Sequence, residues 1–161
     1  MTEVVSKTHS VGDLIGQIFA LKITAAHTNK TIVFDTGVDV QGSMSFWATK
    51  VANCSRSVVT SDDTASAEGS STTPSSGASA TIEETHSILF GNVCTKGPTA
   101  DAAGSWDSSF SDGQRDGTNV GAGDDGTVSE GYRIVSSSAA YTASKNSITS
   151  REWVAMIWDM S

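Results

Sequence analysis

Apolar residues along the chain come in short runs of strand length, separated by long polar stretches. The first strong run covers residues 14–24, where Gly16, the β-branched isoleucines and the closing Thr24 favour strand over helix. A turn at Asn29-Lys30 leads into the short run 31–34. In residues 43–51, Met44, Phe46 and Ala48 alternate with Ser45, Trp47 and Thr49, and Trp47 on the second set implies cover on both faces. Further strands are expected at 80–82, 87–94, 128–135, 140–143 and 152–158. Residues 55–79 are the lowest-complexity stretch and read as one long surface loop, because they hold too little apolar area to bury. Residues 97–126, rich in Gly, Ser and Asp around Trp106 and Phe110, also read as loop.

Short strands joined by long loops predict an all-β fold, a two-sheet antiparallel β-sandwich of jelly-roll type with long Ser/Thr/Gly-rich loops. The 161 residues suffice for one core, so the expected organisation is an N-terminal arm, 1–10, and a single sandwich domain, 11–161. Ile18, Phe46, Leu89, Tyr132 and Ile157 lie in β-patterned runs and are the expected core. Val4 and Val5 in the arm, able to add as an edge strand, and Trp106 in its polar loop are the expected partner contacts.

Composition narrows the chemistry. Ser and Thr together number 45 and Gly 15, while charged residues make up only 17%. Eighteen acidic against ten basic residues give a formal charge of -8. That balance argues against nucleic acid, which needs clustered Lys and Arg, and against an anionic membrane surface. The N-terminal stretch lacks a basic region followed by a long apolar run, and 15–23 is short and holds Gln17 and Lys22, so neither signal peptide nor membrane span is expected. Cys54 and Cys94 are expected as reduced thiols after cytoplasmic synthesis, with a bridge between them left open.

Each possible reactive constellation fails on context. The run 121–126 matches G-x-G-x-x-G, yet no strand precedes it, no helix follows, and Asp124 and Asp125 would repel a pyrophosphate. Asp112, Asp116, Asp124 and Asp125 near glycines could ligate calcium, but their spacing is not that of an EF-hand, and turn carboxylates explain them. His9, His27 and His86 form no metal motif, no G-x-S-x-G elbow accompanies the serines, and Glu83-Glu84 on a strand would point to opposite faces. No catalytic residue, metal ligand or cofactor is therefore expected. Trp47, Trp106, Trp153, Trp158, Tyr132 and Tyr141 could line a sugar platform, although packing is the usual fate of such residues. Trp153 and Trp158, five apart, would face opposite sides of one strand.

The C-terminal third runs in the order Gly104-Ser105-Trp106, a Gly/Asp loop, Glu130-Gly131-Tyr132-Arg133, Ala140-Tyr141-Thr142-Ala143, then Ser150-Arg151-Glu152-Trp153-Val154-Ala155. This order resembles a jelly-roll or β-sandwich module of tailed-phage structural proteins, of head decoration (cement) type, similar also to modules in bacterial surface proteins. Upstream, residues 47–54 and the Ser/Thr/Pro loop before Ile88-Leu89-Phe90-Gly91 fit the same order, with Glu152 standing where the module usually has Asp. The resemblance implies a non-enzymatic virion protein on the head exterior, made in the host cytoplasm, binding the major capsid protein as a homotrimer and carrying no catalytic residues. A tail-associated receptor- or glycan-binding module is the alternative.

Overall fold

A computed structural model describes residues 2–11, 14–20, 64–83, 86–107, 109–121 and 125–160. They form ten strands: β1 (Thr2–Thr8), β2 (Ile15–Ala20), β3 (Thr64–Ser71), β4 (Ser75–Ala78), β5 (Ser87–Thr95), β6 (Ala103–Trp106), β7 (Ser111–Gly117), β8 (Thr127–Val135), β9 (Thr142–Ile148) and β10 (Arg151–Met160). The fold is an all-β sandwich built from antiparallel sheets. A five-stranded sheet, β3-β10-β5-β8-β7, packs on a three-stranded one, β4-β9-β6, and the β1-β2 hairpin lies on the far face of the larger sheet.

Alternation on β10 explains this layering. Trp153, Ala155 and Ile157 face the smaller sheet and join Leu89 and Val93 of β5 with Ala143 and Ile148 of β9 in the main core. Trp158 and Met160 point the other way, where Trp158 stacks on Phe90 at 5.9 Å between ring centroids and packs with Val4, Ile18 and Ala20 of the hairpin. A strand covered on both faces needs apolar residues at every position. Hence 153–158 of β10 is one continuous apolar run, buried throughout.

Two glycines set how closely the sheets approach. Gly91 of β5 and Gly131 of β8 are register partners, and the Trp106 indole of β6 covers both. A Cβ at Gly131 would stand 2.5 Å from Trp106 Cε2, and one at Gly91 would stand 3.0 Å from Cζ3. The indole Nε1 donates to the Glu130 carbonyl at 3.1 Å, and the ring stacks on Phe110 at 5.7 Å. On the other face Gly16 of β2 has the same role, since a Cβ there would lie 2.6 Å from Val154 Cγ2 and 3.1 Å from Cys94 Sγ.

Several expectations change. The 55–79 stretch, read as a surface loop, contains β3 and β4 in its described part. β3 needs few apolar residues because β10 supplies them: Ala65 and Ala67 only top up the core, and Gly69 leaves room for the Trp153 ring. The 97–126 stretch likewise contains β6 and β7. Ile82 makes only an isolated bridge to Ala139 where a strand was expected at 80–82. The expected strands at 31–34 and 43–51, with Phe46 and Trp47, lie outside the described residues, as does Cys54. Residues 2–8 pair with β2 and pack on β3 and β10, so this stretch of the expected arm is a layer of the fold.

Replacing Gly131 with Ala overfills the indole slot and lowers unfolding free energy by about 1–3 kcal/mol, measured by urea denaturation. Gly16→Val, with its clash against Val154, lifts the hairpin. The Cys94 thiol, pushed up to about 12 by burial, then labels with iodoacetamide at pH 8 at least tenfold faster than in the parent, as followed by mass spectrometry.

Candidate functional site

Among the described residues the hairpin packs chiefly on β3, β10 and β5. Phe90 and Ile88 of β5 sit opposite Tyr132 and Ile134 of β8 on that face, and side chains directly opposite on antiparallel strands share a side. Phe90 is under the hairpin; beyond it Tyr132 is 39% exposed and Ile134 73%. The next strand out, β7, reads SDGQRDG and places Ser111 beside Tyr132. The result is a short apolar strip of Ile88, Tyr132 and Ile134, walled on one side by the hairpin and fading on the other into a polar edge strand. Phe19 and Ile15, on the outward face of β2, are further exposed apolar groups.

Tyr132 thus leaves the expected core. On β8 the inward positions run Ser129, Gly131, Arg133 and Val135; the first two are small where the Trp106 indole fills the space, Arg133 lies over the Tyr141 ring at 4.9 Å, and Tyr132 takes the opposite parity. Leu89 and Ile157 are fully buried in the main core. Ile18 packs in the second cluster, beneath the hairpin. The three expected partner contacts also move. Trp106 is only 7% exposed because it is the inter-sheet wedge. Val4 and Val5 are both buried because a register shift between Glu3 and Val5 turns adjacent residues toward the sheet. Trp153 and Trp158 are buried on opposite faces of β10, so neither is available to a sugar platform; Tyr141 is buried too, its hydroxyl donating to the Ser137 carbonyl at 2.5 Å.

Polar clusters in the described residues do structural work. His9 is buried, accepts from the Val11 amide at 3.3 Å, and lies 4.0 Å from Glu68, which also meets Lys7 at 3.6 Å and accepts from the Ser10 amide. These contacts tie the hairpin to β3. His86 and Glu83 are exposed. Among the described residues no group of three His, Cys, Asp or Glu side chains could hold a metal ion. Both Asp125 oxygens are engaged, by the Val120 amide at 2.6 Å and the Gly121 amide at 3.0 Å. Desolvation raises this carboxyl, but the two amides and the Thr118 hydroxyl outweigh it and hold the group below its ordinary value. Asp125 borders an open cleft of about 510 Å³, where Lys96 and Glu152 form an ion pair at 3.7 Å.

Asp107 anchors the wedge. Its carboxylate accepts from the Ser109 amide at 2.9 Å, the Ser109 hydroxyl at 2.5 Å and the Ser144 hydroxyl of β9 at 2.9 Å. Its carbonyl accepts from the Phe110 amide at 3.1 Å. These bonds hold the turn that carries Trp106 and Phe110. Desolvation works against the charged form, but the Ser109 and Ser144 bonds and the Arg133 charge leave the carboxyl below its ordinary value.

No family model, no curated protein and no solved structure matches this chain.

Because the folded Asp107 carboxyl is depressed, its contribution is complete above the ordinary value of 3.8 and disappears as pH falls through the lower folded value. Asp107→Ala should cost about 1–2 kcal/mol at pH 7. The gap between variant and parent closes as pH drops below that range, read from denaturant melts across an acid pH series.

Proposed function

We propose that this chain is a non-enzymatic virion structural protein, a capsid decoration (cement) protein that binds the assembled head of a tailed phage and stabilises it. Its partner is the major capsid protein, and its working form is a homotrimer. The observation that carries the docking mode is the apolar strip of Ile88 on β5 with Tyr132 and Ile134 on β8, beside the hairpin, where Tyr132 is 39% and Ile134 73% exposed. An exposed Ile flanked by an aromatic ring, rimmed by polar groups, is the make-up of an interface centre with its rim. The resemblance of residues 11–161 to decoration modules is what suggests the class of partner. A net charge of -8 keeps the free protein dispersed and suits a partner surface of opposite sign. Stabilisation follows from mass action: a ligand that favours the assembled shell over free subunits raises shell stability with occupancy. Three copies acting together multiply a modest contact through effective concentration.

The test is heating of phage heads. Heads lacking the protein should break at lower temperature than decorated heads, and adding purified protein should restore the difference. Ile134→Asp should bind expanded heads at least tenfold more weakly while folding normally, since Ile134 lies outside both cores. If bare and decorated heads break together and the protein does not bind expanded shells, the reading is wrong. A glycan array then tests the tail-associated receptor-binding alternative.

A further inference from the structure

Three peptide bonds of the chain join Asp to Gly: Asp112-Gly113, Asp116-Gly117 and Asp125-Gly126. At such a bond the glycine nitrogen can reach the carboxyl carbon of the preceding side chain, because no Cβ hinders the approach. The fold holds the three bonds very differently.

At Asp125-Gly126 both reacting groups are occupied. The Asp125 carboxylate accepts from the Val120 and Gly121 amides, and the Gly126 amide donates to the Thr118 hydroxyl at 3.0 Å. At Asp116-Gly117 the backbone is clamped. The two residues stand in register with Val128 and Thr127 of β8. A Cβ at Gly117 would lie 2.6 Å from Thr127 Oγ1 and 2.7 Å from the Gly126 carbonyl oxygen, so the glycine has no room to twist. The next residue, Thr118, donates its amide to the Gly126 carbonyl at 3.0 Å and accepts from the Thr99 amide at 3.1 Å.

Asp112-Gly113 lies where the ladder breaks. The register of β7 on β8 passes from the pair Asp112 and Gly131 to the pair Arg115 and Ser129, so Gly113 and Gln114 together oppose Glu130. Because β7 is the edge strand, Asp112, Gly113 and Gln114 are all exposed. Among the described residues the Asp112 carboxylate accepts no hydrogen bond, and Lys145 acts on it through charge. A Cβ at Gly113 would stand 2.9 Å from the Glu130 carbonyl oxygen. The bulge therefore demands the one residue whose nitrogen is least hindered.

We infer that Asp112 is a modification site, at which the folded protein isomerises spontaneously to isoaspartate. The Gly113 nitrogen bonds to Asp112 Cγ and gives up its proton, while a carboxyl oxygen leaves as water, closing a five-membered succinimide. Water then adds to one of the two ring carbonyls. Breaking the new bond at Cγ restores aspartate; breaking the original peptide bond leaves isoaspartate, with the main chain routed through Cβ. The two additions and losses of water balance, so mass is unchanged and no cofactor is needed. The longer backbone falls one residue from Ser111, the partner of Tyr132, and loosens the outer end of β7. The inference is independent of the decoration reading.

The test is to age the purified chain for weeks at pH 6 and 37 °C, native and in urea. Trypsin then separates residues 97–115, which carry Asp112, from 116–133, which carry Asp116 and Asp125. Electron-transfer fragmentation distinguishes isoaspartate from aspartate in each peptide. In the native chain, position 112 should convert at least tenfold faster than 116 or 125. In urea the three rates should converge to within about threefold. Asp112→Glu, which would need a six-membered ring, should give no isomer at that position. Absence of isoaspartate at 112 in the native chain, equal conversion at the three bonds, or a preference for 112 that persists in urea would overturn the proposal.

Discussion

The seating of one indole ring on a pair of glycines governs how this molecule is put together. Sandwich sheets normally stand about 10 Å apart, with side chains from both filling the gap. Here Trp106 fills it over the middle of β5 and β8, and only the missing Cβ atoms of Gly91 and Gly131 let the ring lie flat on the backbone. The ring ties the layers by a polar bond as well as by contact, because its Nε1 donates across the gap to the Glu130 carbonyl. Phe110 stacked beside it and Asp107 bracing the turn behind it keep the ring from rotating away. Shape, hydrogen bonding and turn chemistry thus meet in five consecutive residues.

Parity then follows along the neighbouring strands. With Ser129 and Gly131 turned inward on β8 beneath the indole, Tyr132 and Ile134 turn outward. With β10 and β5 apolar on both sides, a second cover is needed, and the β1-β2 hairpin provides it at Phe90 and Trp158. Among the described residues that cover is two strands wide and packs chiefly on β3, β10 and β5. Within them, the exposed apolar strip follows from the wedge and the narrow hairpin together. That places the candidate docking surface on the same strand whose other side holds the wedge.

Strands rich in their own apolar residues were legible in the sequence: β5, β8 and β10 emerge from their patterns almost at their observed limits. So was the opposite facing of Trp153 and Trp158, which needs only a period of two. What stayed hidden has one cause. β3 and β7 carry Ser, Gly, Ala and Asp, and they are strands because a neighbour lends them a backbone to pair with. Their local composition resembles that of loops, and nothing within a short window distinguishes the two. Trp106 was misplaced for a related reason. Its seat consists of two glycines forty positions apart, which are adjacent only in register. For Tyr132, alternation along β8 permitted either parity, and the choice was made by a ring from another sheet. The open strip itself had one available signal, the pair Tyr132 and Ile134 at a spacing of two, but its meaning depends on knowing which side is covered.

The position of β10 in the sheet has a consequence for the order in which the chain is made. β3 and β5 are joined only through β10, which is synthesised long after both. On a ribosome, β3 emerges with no partner edge, and β5 has one side vacant with Leu89 and Phe90 uncovered. Assembly of the large sheet must wait for a strand some sixty residues downstream of β5. Such long-range pairing folds slowly and exposes sticky edges meanwhile. The Ser-, Thr- and Gly-rich make-up of β3 and β4, whose partners β10 and β9 come last, then has a second value, in time: the segments that wait longest for a neighbour are the least able to find a wrong one.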